Sequence, residues 1–338
     1  MNKTVLQVKT KSANNFYRAK LVSDKIFELI ILPTELCNFR CKYCYEDFSI
    51  GRMKRETIIG IKTLLKKRCI DLNYLNISWF GGEPLAAKDI VLEISEYASI
   101  LNREYSQLNY KSNMTTNGYF LDIDTATTLS EVGVKHYQIS LDGPRNIHNK
   151  NRIRADGKGT YDQIWNNLIK IRDSSIPVSI MLRIHFTVDT YKQLDPLLED
   201  IKNEFLYDSR FSVFFKAIEH MGGPNDASIN VFSSHKQKQN VIQMLKAKLH
   251  KDTNVVTSKL NIQSTPDVCY AARPNSLVIR ANGDIGKCTV ALNDERNKIG
   301  SIQQDGSLKL IPGRLTPWVR GIETLDPMEL GCPLVNLP

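Results

Sequence analysis

The sequence predicts an α/β fold: a partial (β/α)6 barrel of parallel strands, followed by a small α+β module. Three observations carry this. From about residue 26 to 220, short apolar runs alternate with segments of helical periodicity. About six such β/α repeats fit in that span, fewer than the eight of a closed TIM-type barrel. The pattern then breaks at HMGGPNDAS (His220–Ser228) and later turns hairpin-like, with an Asn282-Gly283 turn.

The elements follow in order. Phe27–Leu32 is an apolar run closed by Pro33, and Ile58, Ile61, Leu64 and Leu65 share one helical face after it. Leu75–Phe80 reads as the second strand, Ile90–Tyr105 as a helix and Lys111–Gly118 as the third strand. Asp124–Val132 is helical, His136–Gly143 extended and Tyr161–Arg172 helical. Val178–Val188, a helix over Leu194–Phe205 and Phe211–Ile218 close the series. A further helix spans His235–His250. The expected organisation is an N-terminal segment (1–25), the barrel (26–250) and an auxiliary module (251–338).

Composition narrows the class. The 338 residues carry 24% charged and 42% apolar side chains, enough to bury a core. No apolar run reaches the ~18–20 residues that span a bilayer, and the polar, basic N-terminus lacks the apolar stretch of a secretory signal. A cytoplasmic protein is expected, with no membrane partner. The net charge of +9 is mild for a nucleic-acid binder, and its basic residues are scattered. In reducing cytosol, seven cysteines read as metal ligands or reactive groups rather than disulfides.

Cys37, Cys41 and Cys44 form C-x3-C-x2-C just after the first strand. In an α/β barrel that is the face where active sites sit. Three closely spaced thiolates suit a 4Fe–4S cluster with one iron left open; zinc, which wants four ligands, is the rival. The triple, with Tyr43 before its third cysteine, resembles the signature of the radical S-adenosylmethionine (radical SAM) superfamily. The resemblance implies a cluster whose open iron binds SAM, and reductive cleavage of SAM to a 5′-deoxyadenosyl radical that abstracts hydrogen from substrate.

Other segments are similar to that family at the expected strand ends. Gly81, Gly82 and Glu83 match a GGE segment that meets the SAM amino group, with Glu83 as charge partner. Asn117 lies in TTNG after the third strand. Ser140, in SLDG, would contact the ribose and carboxylate. Asp142 of that segment is the candidate catalytic residue, close enough to touch substrate or ribose. His148 and Arg152 precede GKGTYD. Arg152, with Arg183 as a second candidate, would pair the SAM carboxylate through its guanidinium. Each motif alone also has an ordinary structural reading as a turn or salt bridge.

Cys269, Cys288 and Cys332 lie in the smaller module, the first two spaced C-x13-G-x4-C. This resembles the SPASM extension of radical SAM enzymes, which implies at least one auxiliary 4Fe–4S cluster. The family normally continues with several more cysteines, so the resemblance implies either a sequence that continues past Pro338, the favoured expectation, or a reduced module in which these three hold one cluster at most. Buried inert thiols are the bland alternative. Cys69, in an apolar helix, reads as core.

The resemblance implies a ribosomal-peptide maturase that crosslinks a precursor peptide, supplied with electrons by a ferredoxin or flavodoxin. An epimerase and a formylglycine-forming sulfatase maturase are alternatives. The second loses weight because Thr289 follows Cys288 where that group places an Asp base. A zinc-stabilised binding module is the non-enzymatic alternative.

Overall fold

A computed structural model describes residues 19, 21–250 and 268–337. Its core is six parallel strands: β1 (Ile26–Ile31), β3 (Tyr74–Trp79), β4 (Asn109–Thr116), β5 (Val134–Leu141), β7 (Ser179–Phe186) and β8 (Phe211–Ala217). Helices α1 (Arg55–Cys69), α2 (Lys88–Glu104), α3 (Ile123–Glu131), α5 (Tyr161–Arg172) and α6 (Asp195–Glu204) connect them. The short α4 (Arg145–Asn151) leads into β6 (Arg152–Arg154), which pairs antiparallel with β2 (Phe39–Cys41). The six-unit partial barrel is therefore as the periodicity predicts, with boundaries shifted by one or two residues.

Alternation sorts each strand between two environments. Leu29, Ile31, Leu75, Ile77 and Trp79 are buried in the main apolar core. Ile90, Val91, Ile94, Ala98 and Leu101 form the buried stripe of α2. The opposite parity is polar in β3, β4 and β5. Asn76 Nδ2 donates to Ser78 Oγ (3.1 Å), and Asn113 Nδ2 donates to Asn76 Oδ1 (3.2 Å). Followed to the C-terminal strand ends, that parity reaches Thr115, Ser140, Arg183 and His185, which line a cavity. A local signal starts α3: the Asp122 side chain accepts from Thr125 N (2.8 Å) as its cap.

The C-terminal strands continue the barrel sheet. β9 (Ser276–Ile279) runs parallel to β1, and β10 (Asp284–Gly286), β11 (Gly300–Ile302) and β12 (Leu308–Leu310) follow antiparallel. A buried ion pair also ties the cysteine loop to this hairpin. Arg280 Nη2 meets Glu35 Oε2 (2.5 Å), and Ala281 N donates to Glu35 Oε1 (3.3 Å). Most of the expected segment 1–25, and residues 251–267 beside the expected border at 250, lie outside the described residues. The last barrel-side helix, α7 (His235–His250), follows the loop after β8. Cys69 is fully buried in the core. Among the described residues, no helix is long and apolar enough to cross a membrane.

Candidate functional site

The cysteine loop leaves β1 and is shaped by backbone contacts. β2 pairs with β6 so that Cys41 stands opposite Arg152 and Phe39 opposite Arg154. The Arg40 guanidinium donates to the carbonyls of Cys37 (2.8 Å) and Phe39 (2.7 Å) and lies 4.6 Å over the Phe48 ring. Cys44 N donates to Cys41 O (3.1 Å), and Phe39 N donates to Cys37 Sγ (3.3 Å). Cys37, Cys41 and Cys44 thereby reach one cavity of about 280 Å³. Burial pushes all three thiols up, Cys41 to about 12, so without metal they hold their protons. Metal binding would take the protons' place.

The two glycines after β3 serve close packing. A Cβ on Gly81, whose φ is +112°, would stand 2.4 Å from Thr34 O; one on Gly82 would stand 2.4 Å from Leu36 O. Both line the cavity. Glu83, the expected charge partner of the SAM amino group, also has a structural task. It is fully buried, and its oxygens accept from Leu85 N (3.0 Å), Thr116 Oγ1 (2.7 Å) and Asn117 N (2.7 Å). The carboxylate thus joins the ends of β3 and β4. Asn117 passes this order to the cysteine loop, its Nδ2 donating to Asn38 Oδ1 (2.8 Å).

A polar network closes the cavity on the β5–β7 side. Tyr43 donates its hydroxyl to Asp142 Oδ1 (2.8 Å) and accepts from Arg152 Nη1 (2.7 Å). His185 Nδ1 lies 3.1 Å from the Tyr43 oxygen and 3.5 Å from Asp142 Oδ1. Burial pushes the Asp142 carboxyl up, but the His185 hydrogen bond and the Arg152 charge outweigh it and leave it lowered. Ser140 and Arg183 line the same cavity. Asp142 Oδ2, Arg152 Nε and Arg183 Nε are buried without a hydrogen-bond partner. Sequence reasoning missed His185. Its signal was available, since Arg183 and His185 share one face of β7 by strand alternation. It also missed the β2–β6 ladder, too short to leave a periodic trace.

The second cysteine set is assembled from three segments. Cys288 is buried, Cys269 half-buried and Cys332 exposed. Burial, joined by Cys288 and Cys332, pushes the Cys269 thiol up. Cys269 N donates to Leu330 O (2.8 Å), tying its segment to that of Cys332. Asn297 holds the Cys288 turn at both ends: Oδ1 accepts from Lys287 N and Cys288 N (2.8 Å each), and Nδ2 donates to Cys288 O (2.8 Å) and Ala291 O (2.9 Å). Thr289 and Val290, just beyond Cys288, line the cavity of the first cysteine set.

Among the described residues, no three His, Cys, Asp or Glu side chains are gathered tightly enough for a single metal ion. The first cysteine set, three soft donors on one cavity wall, fits the larger body of a thiolate-held cluster. The buried carboxylate oxygen and guanidinium nitrogens beside it fit a ligand bearing both an ammonium and a carboxylate. Such a cluster with SAM supplies a 5′-deoxyadenosyl radical.

Comparison with known proteins agrees. Residues 31–201 match the Radical SAM superfamily. The chain is 35% identical over 116 residues to a GTP 3′,8-cyclase of Campylobacter fetus subsp. fetus (strain 82-40), covering 34% of each protein. It is 26% identical over 218 residues to a cysteine-type anaerobic sulfatase-maturating enzyme of Clostridium novyi (strain NT), covering 60% of this chain and 54% of the relative. These matches thus span from a third to about half of the curated relatives. The structure of native anSMEcpe with bound AdoMet and Cp18Cys peptide superposes with TM-score 0.65 at 20% identity, covering 88% of this chain and 83% of that one. With a family match over half its length, and a cysteine loop placed at the mouth of the matching barrel, this chain belongs to the radical SAM superfamily, enzymes that work with a 4Fe–4S cluster and SAM.

Proposed function

We propose that this protein is a peptide maturase that removes two hydrogens from a ribosomally made precursor and closes a carbon–sulfur, carbon–carbon or carbon–oxygen crosslink. The observation that carries the reading is the cavity wall. Thr289 and Val290, next to Cys288, border the cavity of Cys37, Cys41 and Cys44. A second iron–sulfur site held by Cys269, Cys288 and Cys332 would stand beside substrate. A cysteine-type sulfatase maturase among the relatives, and a peptide in the superposed structure, support a peptide substrate.

In this reading Cys37, Cys41 and Cys44 hold the SAM-binding cluster. Gly81, Gly82, Asn117 and Ser140 shape the SAM pocket, Arg152 and Arg183 meet its carboxylate, and Asp142, close enough to touch substrate or ribose, is the catalytic candidate. Thr289 cannot accept a proton as a carboxylate would, which disfavours formylglycine formation. Cys69 is buried in the core, which disfavours its use as the hydrogen donor of an epimerase. The net charge of +9 suits an acidic peptide and a small acidic electron donor such as ferredoxin or flavodoxin.

The test is mass spectrometry of a short precursor peptide, encoded beside the protein and co-expressed with it. The reading expects a loss of two hydrogens that disappears in Cys37→Ala. An unchanged mass with inverted residues, conversion of a sulfatase cysteine to formylglycine, or turnover of GTP instead would each overturn it.

A further inference from the structure

His185 occupies a position that family membership does not assign. It lies at the C-terminal end of β7, in register with Lys216 of β8. Its ring meets Tyr43 edge-on, with centroids 5.4 Å apart and planes at 76°. Its side chain is 11% exposed, and what remains open faces the cavity.

A proton count fixes its state. An ionised Asp142 only accepts hydrogen bonds, and a guanidinium only donates them. The single Tyr43 proton goes to Asp142 Oδ1, so the Tyr43 oxygen must accept from Arg152 Nη1. His185 Nδ1 therefore faces two acceptors, the second lone pair of Tyr43 and Asp142 Oδ1. Two acceptors can be met only by a donor, so the proton of the neutral ring sits on Nδ1. Burial, which pushes the His185 pKa down to about 4, agrees with a neutral ring.

The consequence lies in the groups behind that proton. Asp142 Oδ2 and Arg152 Nε are buried with no partner, and both belong to side chains anchored in this network. The Nδ1–H completes the ring of donors and acceptors around Asp142 and Tyr43. We propose that His185 is a positioning residue of the SAM site: its Nδ1–H holds Tyr43 and Asp142, and through them Arg152, in the orientation that receives SAM. This deepens the family reading and is independent of which substrate is modified.

The isosteres of histidine separate this role from its rivals. Asn places an amide N–H at the Nδ1 position, Gln reaches the Nε2 position, and Phe keeps the ring without either nitrogen. The probe is SAM itself, with affinity measured on the anaerobically reconstituted full chain. The second readout is the change in the electron paramagnetic resonance of the reduced cluster when SAM is added. Iron content is measured in every variant.

The expected result is iron content unchanged throughout and SAM affinity within about threefold for His185→Asn. For His185→Gln and His185→Phe, affinity falls roughly tenfold, the worth of one hydrogen bond to a charged network, and the resonance shift is altered. Wild-type affinity in all three would overturn the proposal. So would rescue by Gln rather than Asn, which would make Nε2 a direct ligand. Equal losses in all three, or lost iron, would reduce His185 to a packing role. Failure of the wild-type chain to bind SAM would instead strike the cofactor assignment, a separate outcome.

Discussion

At the scale of single residues, the site is governed by proton inventories in a dry environment. His148 shows this most simply. It is fully buried; Asp142 N donates to its Nδ1 (3.3 Å), and its Nε2 lies 3.0 Å from Thr160 Oγ1. Thr160 gives its own proton to Arg152 O (2.7 Å), so His148 must donate through Nε2 and accept through Nδ1. Only the neutral ring can do both, and burial pushes its pKa down to about 3. The unfolded chain takes up a proton near pH ~6.5 that the folded chain refuses, so stability falls as pH drops below that value. The loss continues until the folded pKa is reached. Melting curves of wild type and His148→Gln from about pH 7 to about pH 5 check this. The wild type should lead by about 1–3 kcal/mol at neutrality, and its lead should shrink with acid. Parallel curves would exclude His148 as the titrating group.

At the scale of elements, short connections join the two cysteine sets. Glu35 and Arg280 form a pair whose side chains are 4% and 13% exposed, between the cysteine loop and the β9–β10 hairpin. Removing the cation strands a buried carboxylate, so Arg280→Ala should cost about 3–5 kcal/mol in denaturant unfolding. A loss below about 1 kcal/mol would mean the pair is solvated and does not clamp the hairpin. Asn297 saturates the Cys288 turn with four hydrogen bonds. Asn297→Ala should lower iron bound in a Cys37→Ala, Cys41→Ala, Cys44→Ala background, where the second cysteine set alone could retain it. Unchanged iron there would show that Asn297 does not organise that set. These clamps were not legible in the sequence. Glu35, Asn297 and Arg280 belong to no period; Glu35 and Arg280 meet from opposite ends of the chain, and the bonds of Asn297 close an irregular turn. The barrel strands were legible because one apolar face recurs every second residue, and the helices because Ile90, Ile94 and Leu101 recur at helical spacing.

At the scale of the molecule, one sheet carries both modules. The parallel pairing of β9 with β1 brings Cys288 to the rim of the barrel that presents Cys37, Cys41 and Cys44. Ten of the residues named from sequence motifs line the cavity, because strand ends in such a fold converge by topology. The motifs did not reveal that the Glu83 carboxylate also accepts from Leu85 N, Thr116 Oγ1 and Asn117 N, since a Gly-Gly-Glu pattern does not show backbone donors. The central claim is that the first cysteine set arms this barrel for SAM cleavage. The most direct measurement is 5′-deoxyadenosine formed when the reconstituted, reduced chain is given SAM, with Cys37→Ala, Cys41→Ala and Cys44→Ala as comparison. The wild type should release 5′-deoxyadenosine and methionine and each variant neither; equal product from the variants, or none from an iron-loaded wild type, would contradict the account.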